Sequence, residues 1–112
     1  MSNFGFHCGR HVLRPGSGEA VRAWALESNR CASEASETLR QEGIMLELVL
    51  YEPPRDPAEG GSLTFVIQTD DYERAVAVYL ASTMPIDLYH RAFLEACSME
   101  RVPLEVLVCH RP

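Results

Sequence analysis

Lysine is absent from this sequence: all ten basic residues are arginine. That absence excludes Schiff-base chemistry on a lysine and any phosphate loop built around one. Close cysteine pairs are missing as well. Cys8, Cys31, Cys97 and Cys109 stand far apart, so no zinc ribbon or CxxC redox motif is present. The longest apolar run, Ile44 to Tyr51, is interrupted by Glu47 and is much too short to cross a bilayer. No basic segment followed by an apolar stretch opens the chain, which therefore reads as cytoplasmic, with unpaired and mostly buried thiols. Positive charge is scarce too: the net charge of −6 argues against nucleic acid or an anionic membrane as partner.

What remains is an ordinary globular composition, 46% hydrophobic and 23% charged over 112 residues, the length of one domain spanning residues 1–112. Residues 4–14 read as a first strand, stopped by Pro15-Gly16. Ser17 or Gly18 opens one long helix to about Glu42, with Gly43 placed to end it. Its narrow stripe of Val21, Trp24, Ala25, Ser28, Cys31, Ala32, Ala35 and Leu39 recurs at helical spacing. At 1.5 Å per residue that helix would be about 35–40 Å long. Strands follow at Ile44–Glu52 and Ser62–Thr69, joined by a proline- and glycine-rich loop from Pro53 to Gly61 that serves as a flexible rim. Asp70 caps a helix ending near Ser82, with Glu73 as its capping-box partner; Pro85 starts another, Ile86–Ser98; Val102–Cys109 is the last strand.

The order β-α-β-β-α-α-β is that of a ferredoxin-like α+β fold, a four-stranded antiparallel sheet with helices on one face. The other face of such a sheet is normally polar. Here both sides of the strands are largely apolar: Leu46, Leu48 and Leu50 alternate with Met45, Val49 and Tyr51. An uncovered apolar face on so small a chain calls for a partner, and a second copy meeting it sheet to sheet is the simplest cover. The expected assembly is a homodimer.

The stretch Ser82-Thr-Met-Pro-Ile-Asp-Leu-Tyr-His90-Arg-Ala-Phe-Leu-Glu95, with Arg14-Pro-Gly-Ser-Gly-Glu19 and Glu42-Gly-Ile-Met-Leu-Glu47, resembles a family of small bacterial proteins. That family is placed in the dimeric α/β-barrel superfamily, and the resemblance covers most of residues 10–109. Its Pro-Ile-Asp-x-x-His core is the most specific part. The resemblance implies two ferredoxin-like subunits pairing their sheets into one barrel. It implies no single activity, because the superfamily includes cofactor-independent monooxygenases, polyketide cyclases, muconolactone-type isomerases, haem-handling enzymes and plain binding proteins. The histidines and cysteine near the N-terminus and the lack of lysine depart from typical members.

His90 heads the catalytic candidates. It shares the apolar face of its helix with Ile86, Tyr89, Phe93, Leu94 and Cys97, where a neutral imidazole suits a general base. Asp87, one turn earlier, is placed to orient it. The competing reading is a capping aspartate and a core histidine bonded to a backbone carbonyl. Glu47, a carboxylate within an apolar strand, is the second acid/base candidate, against a structural ion pair with Arg10 or Arg14. Gln68, Tyr51, Tyr89, Phe93 and Trp24 are candidate substrate-binding residues on a pocket wall. His7, Cys8, Cys109 and His110 would meet at one sheet edge, but neighbours on a strand point to opposite faces, so no metal site is expected. The chain thus reads as a homodimeric enzyme without a cofactor, acting on a small, largely apolar metabolite by isomerase, cyclase or monooxygenase chemistry, a reaction type suited to natural-product biosynthesis. A non-catalytic ligand-binding or stress-associated dimer is the alternative. A haem- or metal-binding protein using His7, His90 or His110 is the third reading.

Overall fold

The computed structural model describes residues 4–112. Eight elements follow one another: β1 (Phe6–Leu13), α1 (Gly18–Arg30), α2 (Ala32–Glu42), β2 (Ile44–Glu52), β3 (Ser62–Thr69), α3 (Tyr72–Ala81), α4 (Pro85–Cys97) and β4 (Ser98–Leu104). The four strands form one antiparallel sheet in the order β2-β3-β1-β4. The protein is a mixed α+β fold, with its helices against one face of the sheet. Leu13 from β1 and Leu63 and Phe65 from β3 meet Val21 and Trp24 of α1 and Phe93 and Cys97 of α4 in the core.

Both middle boundaries, Ile44–Glu52 and Ser62–Thr69, coincide with the sequence reading. The long helix does not stay whole. It breaks at Cys31, whose backbone leaves the helical region at φ −98° and ψ 35°. The Cys31 thiol and the Arg30 guanidinium both turn back onto the Glu27 carboxylate. The break bends the chain around the sheet, so that α1 packs on α4 while α2 packs on α3 and β2. Gly43 ends α2 in the left-handed conformation at φ +73°, a place where glycine carries no Cβ strain.

The last strand also departs from expectation. It begins at Ser98, directly after α4 with no loop between, and stops at Leu104, so Cys109 and His110 lie in the irregular tail beyond it. Pro103 within this strand is tolerated because β4 is an edge strand. The cap of α3 is Asp71 rather than Asp70: its carboxylate accepts from the Arg74 backbone N–H, and Arg74 rather than Glu73 occupies the third helical position. Asp71→Ala is expected to cost about 1 kcal/mol, measured as a lower urea midpoint at unchanged slope.

The loop 53–61 is anchored where it enters β3. Gly61 sits at φ +75° and its carbonyl accepts from the Leu13 N–H, while a side chain on Gly60 would collide with the backbone of Leu13 and Arg14. That end of the rim is fixed.

The sheet's open face is as apolar as its strands suggested. A row runs across all four strands through Leu48, Val66, Cys8 and Leu104, each paired with the next. Leu46, Leu48, Leu50 and Leu104 on this face are all exposed, Leu50 by 58%. All four cysteines are free thiols; Cys97 alone is fully buried. No helix is long and apolar enough to cross a membrane, among the described residues.

Candidate functional site

Between the helices and the sheet lies a partly open cavity of about 680 Å³. That is ample for a small metabolite. Every helix contributes to it, as do the helix-facing side chains of all four strands. Its apolar wall is aromatic. Trp24 stacks on Phe93 at 5.0 Å between ring centres, and the His90 ring is held by three neighbours: Trp24 at 5.4 Å, Phe65 at 5.4 Å and Tyr79 at 5.6 Å.

Strand alternation and helical spacing bring three carboxylates to this cavity. Glu47 points inward from β2 beside Val49 and Tyr51, with the register shift near Ile44 keeping Ile44 on the same side. Asp87 comes from the first turn of α4 and Glu42 from the last turn of α2; each is only 6% exposed. None of the three makes a side-chain hydrogen bond or ion pair among the described residues. Arg10, one of the proposed partners for Glu47, projects to the opposite face, and Arg14 donates to the Ala96 carbonyl instead.

The electrostatic consequences are large. Burial, with the charges of Asp87 and Glu47 beside it, pushes the Glu42 carboxyl up to about 7. Glu47 is raised for the same reasons, burial first and Asp87 second. Glu47 lines the cavity and remains open to solvent. Burial drives His90 down to about 4, helped by the positive potential of His11 and Arg91. The Tyr79 hydroxyl is raised by burial and has no hydrogen-bond partner among the described residues, while Arg91 grips the backbone carbonyls of Tyr79 and Ser82 and lies over the tyrosine ring. The cavity thus holds a carboxyl that exchanges its proton near neutrality, beside a neutral imidazole and a free phenol.

His90, Asp87 and Glu47 all line the cavity, together with Trp24 and Tyr51. Phe93 lies behind Trp24 in the core. Tyr89 faces outward to a shallow groove between α1 and α4, and Gln68 projects from the open face of the sheet. Two expectations need correction. No hydrogen bond joins Asp87 to His90; the Asp87 charge acts on Glu42, Glu47 and Tyr79 instead. Nor does His90 bond a backbone carbonyl, since aromatic rings surround it, and a conjugate acid near 4 makes it a weak base at neutral pH. His7 stacks on Tyr72 at 4.3 Å in the cavity wall, whereas Cys8 faces the other way. No three histidine, cysteine, aspartate or glutamate side chains cluster to hold a metal ion, among the described residues.

Glu42 was missed in the sequence, although a signal existed. It lies three residues beyond Leu39, so the apolar stripe carried on by one step ends on a carboxylate. His11 and Arg101 also reach the cavity, as cross-strand neighbours in β1 and β4. No curated protein and no solved structure matches the chain. One family's sequence profile matches residues 5–112, and the chain therefore belongs to that family of unknown function, DUF6176.

Proposed function

We propose that this protein is a proton-transfer enzyme that works without a cofactor on a small, largely apolar metabolite. The observation that carries this reading is Glu42, a buried carboxyl held near 7 on the wall of an aromatic cavity that also presents Glu47 and His90. A group with that affinity takes and returns a proton with little penalty in either direction at neutral pH. In the proposed reaction Glu42 removes a proton from a carbon next to a carbonyl. Neutral His90 and the Tyr79 hydroxyl donate hydrogen bonds to the oxygen on which negative charge develops. Glu42 or Glu47 then delivers a proton to another carbon of the same framework. One C–H bond is broken and another is formed, so the step is an isomerisation and balances with no added reductant or oxidant.

Assembly belongs to the same reading. The strand order and the one-sided helix layer suit a ferredoxin-like subunit, and the exposed apolar row suits a second copy meeting it to close a dimeric α/β barrel.

The test is substrate-agnostic. A panel of small enolisable ketones and lactones is incubated with the protein in D2O and followed by proton NMR. Protein-dependent loss of one α-proton signal supports the reading. Binding of panel members without exchange at any position between pH 6 and 8 would instead make the protein a ligand carrier.

A further inference from the structure

We infer that the cavity binds its ligand through a carboxylate, held by Arg101 on the β1–β4 side, away from the carboxyl groups that carry the chemistry. This rests on the proposed proton-transfer reading and adds the substrate class to it.

Three observations carry it. Arg101 pairs with no carboxylate among the described residues; its one polar contact is a long 3.4 Å hydrogen bond to the Tyr72 hydroxyl. Of the arginines without an acidic partner, Arg101 is the one that faces the sheet side of the cavity. Second, the sheet makes room for its head. Position 9 faces the helices from β1, next to Arg101 in the sheet, and it is glycine. A Cβ there would lie 2.5 Å from Nη2 of Arg101 and 2.7 Å from Nε, so the guanidinium rests flat on bare backbone. Third, no acidic side chain is among the immediate neighbours: His11, kept neutral by burial and by Arg101, pairs across from Arg101 in the ladder, and His7 stacks on Tyr72. His11 Nδ1 and the Ser98 hydroxyl share a 2.8 Å hydrogen bond, which fixes the ring.

A planar guanidinium with free N–H groups takes a carboxylate in two parallel hydrogen bonds, which lysine cannot do. The cavity is therefore bipolar. Its Glu42, Glu47 and Asp87 side repels an anion, and its Arg101 side attracts one, so an apolar acid enters in one orientation. Its carboxylate stays on Arg101 while its carbon skeleton lies along Trp24 and Phe65 toward Glu42.

Trp24, the only tryptophan in the chain, reports occupancy by its fluorescence. The probes are trans-cinnamate, cinnamamide and cinnamylamine, which share one skeleton and differ in charge. Cinnamate is expected to bind at least tenfold more tightly than the amide, with the amine weaker still. Arg101→Ala should abolish the tenfold preference, and Arg101→Lys should restore only part of it. Gly9→Ala keeps the charge but displaces the guanidinium, and should also lower cinnamate affinity while leaving amide affinity unchanged. Circular dichroism and melting temperature establish that each variant is folded, as expected because Arg101 is an exposed edge-strand residue and a Cβ on the buried Gly9 meets only the movable end of the Arg101 side chain. Equal binding of cinnamate and cinnamamide, or a preference for the amine, overturns the carboxylate assignment. Glu42→Gln separates the two ideas: losing one repelling charge, it should bind cinnamate at least as tightly as the parent and keep the preference over the amide, while proton transfer is lost.

Discussion

Glu42→Gln is expected to fold, to gain about 2 kcal/mol of stability at pH 8 relative to the parent protein, and to lose roughly 10²–10⁴ in proton-transfer rate. The sign follows from the direction of the shift. The folded protein holds the Glu42 carboxyl near 7, whereas the unfolded chain returns it to its ordinary 4.5. The folded state therefore keeps the proton more tightly. Its favourable contribution is complete below about 4.5 and is lost as the pH rises through 7. A shift of this size is worth at most about 3 kcal/mol, and water entering the cavity reduces it to about 2. Glutamine imitates the protonated carboxyl and has no charge to bury, so the variant should show a flatter stability profile between pH 5 and 8. Urea unfolding at both ends of that range measures it. A parent protein equally stable at pH 5 and pH 8 would remove Glu42 as the neutral-pH proton carrier.

Leu48→Arg is expected to turn a dimer into a folded monomer. Leu48 sits mid-row on the open face, 48% exposed, between Leu46 and Leu50 and beside Val66. The leucine adds little to the subunit's own core, so an arginine there leaves the fold intact. In a sheet-to-sheet dimer each copy would bury one unpaired guanidinium against the other's apolar strands. Uncompensated buried charge costs about 3–5 kcal/mol, or roughly a thousandfold in the dimer dissociation constant. Sedimentation velocity at 10 µM reads the result directly. A parent protein that sediments as a monomer at that concentration would sink the barrel proposal.

How far the sequence could be read depended on where the physics was local. β2 and β3 are legible to the residue, because proline and glycine bound their connecting loop and threonine-aspartate ends the second. The helix break at Cys31 was not legible, since the residues around it continue the same stripe. What the break serves is visible only in the fold, where α1 packs on α4 and α2 on α3 and β2. The end of α4 misled for a similar reason: Ser98 to Leu104 carries Met, Glu, Arg and Pro, a poor strand by composition, yet the β1 edge recruits it. At the site, His90, Asp87 and Glu47 were found from periodicity and from a lone carboxylate in an apolar strand. Their surroundings are not legible there: burial and Asp87 raise Glu47, while burial with His11 and Arg91 lowers His90, and Asp87 and His11 arrive from other elements. Arg101 is out of reach for sequence reading, because the apolar alternation that marks the last strand begins only at Val102.

The junction of α4 and β4 has a mechanical consequence. With no loop between Cys97 and Ser98, and the Cys97 carbonyl tied to the Arg14 N–H, helix and strand form one stiff lever. One arm carries Asp87 and His90 on the cavity wall. The other carries Arg101 toward the cavity and Leu104 toward the open face. A ligand that tilts α4 would therefore be expected to shift the outer edge of the sheet as well. If two copies associate through that face, whatever factor ligand occupancy applies to their association, association must return to ligand affinity in equal measure.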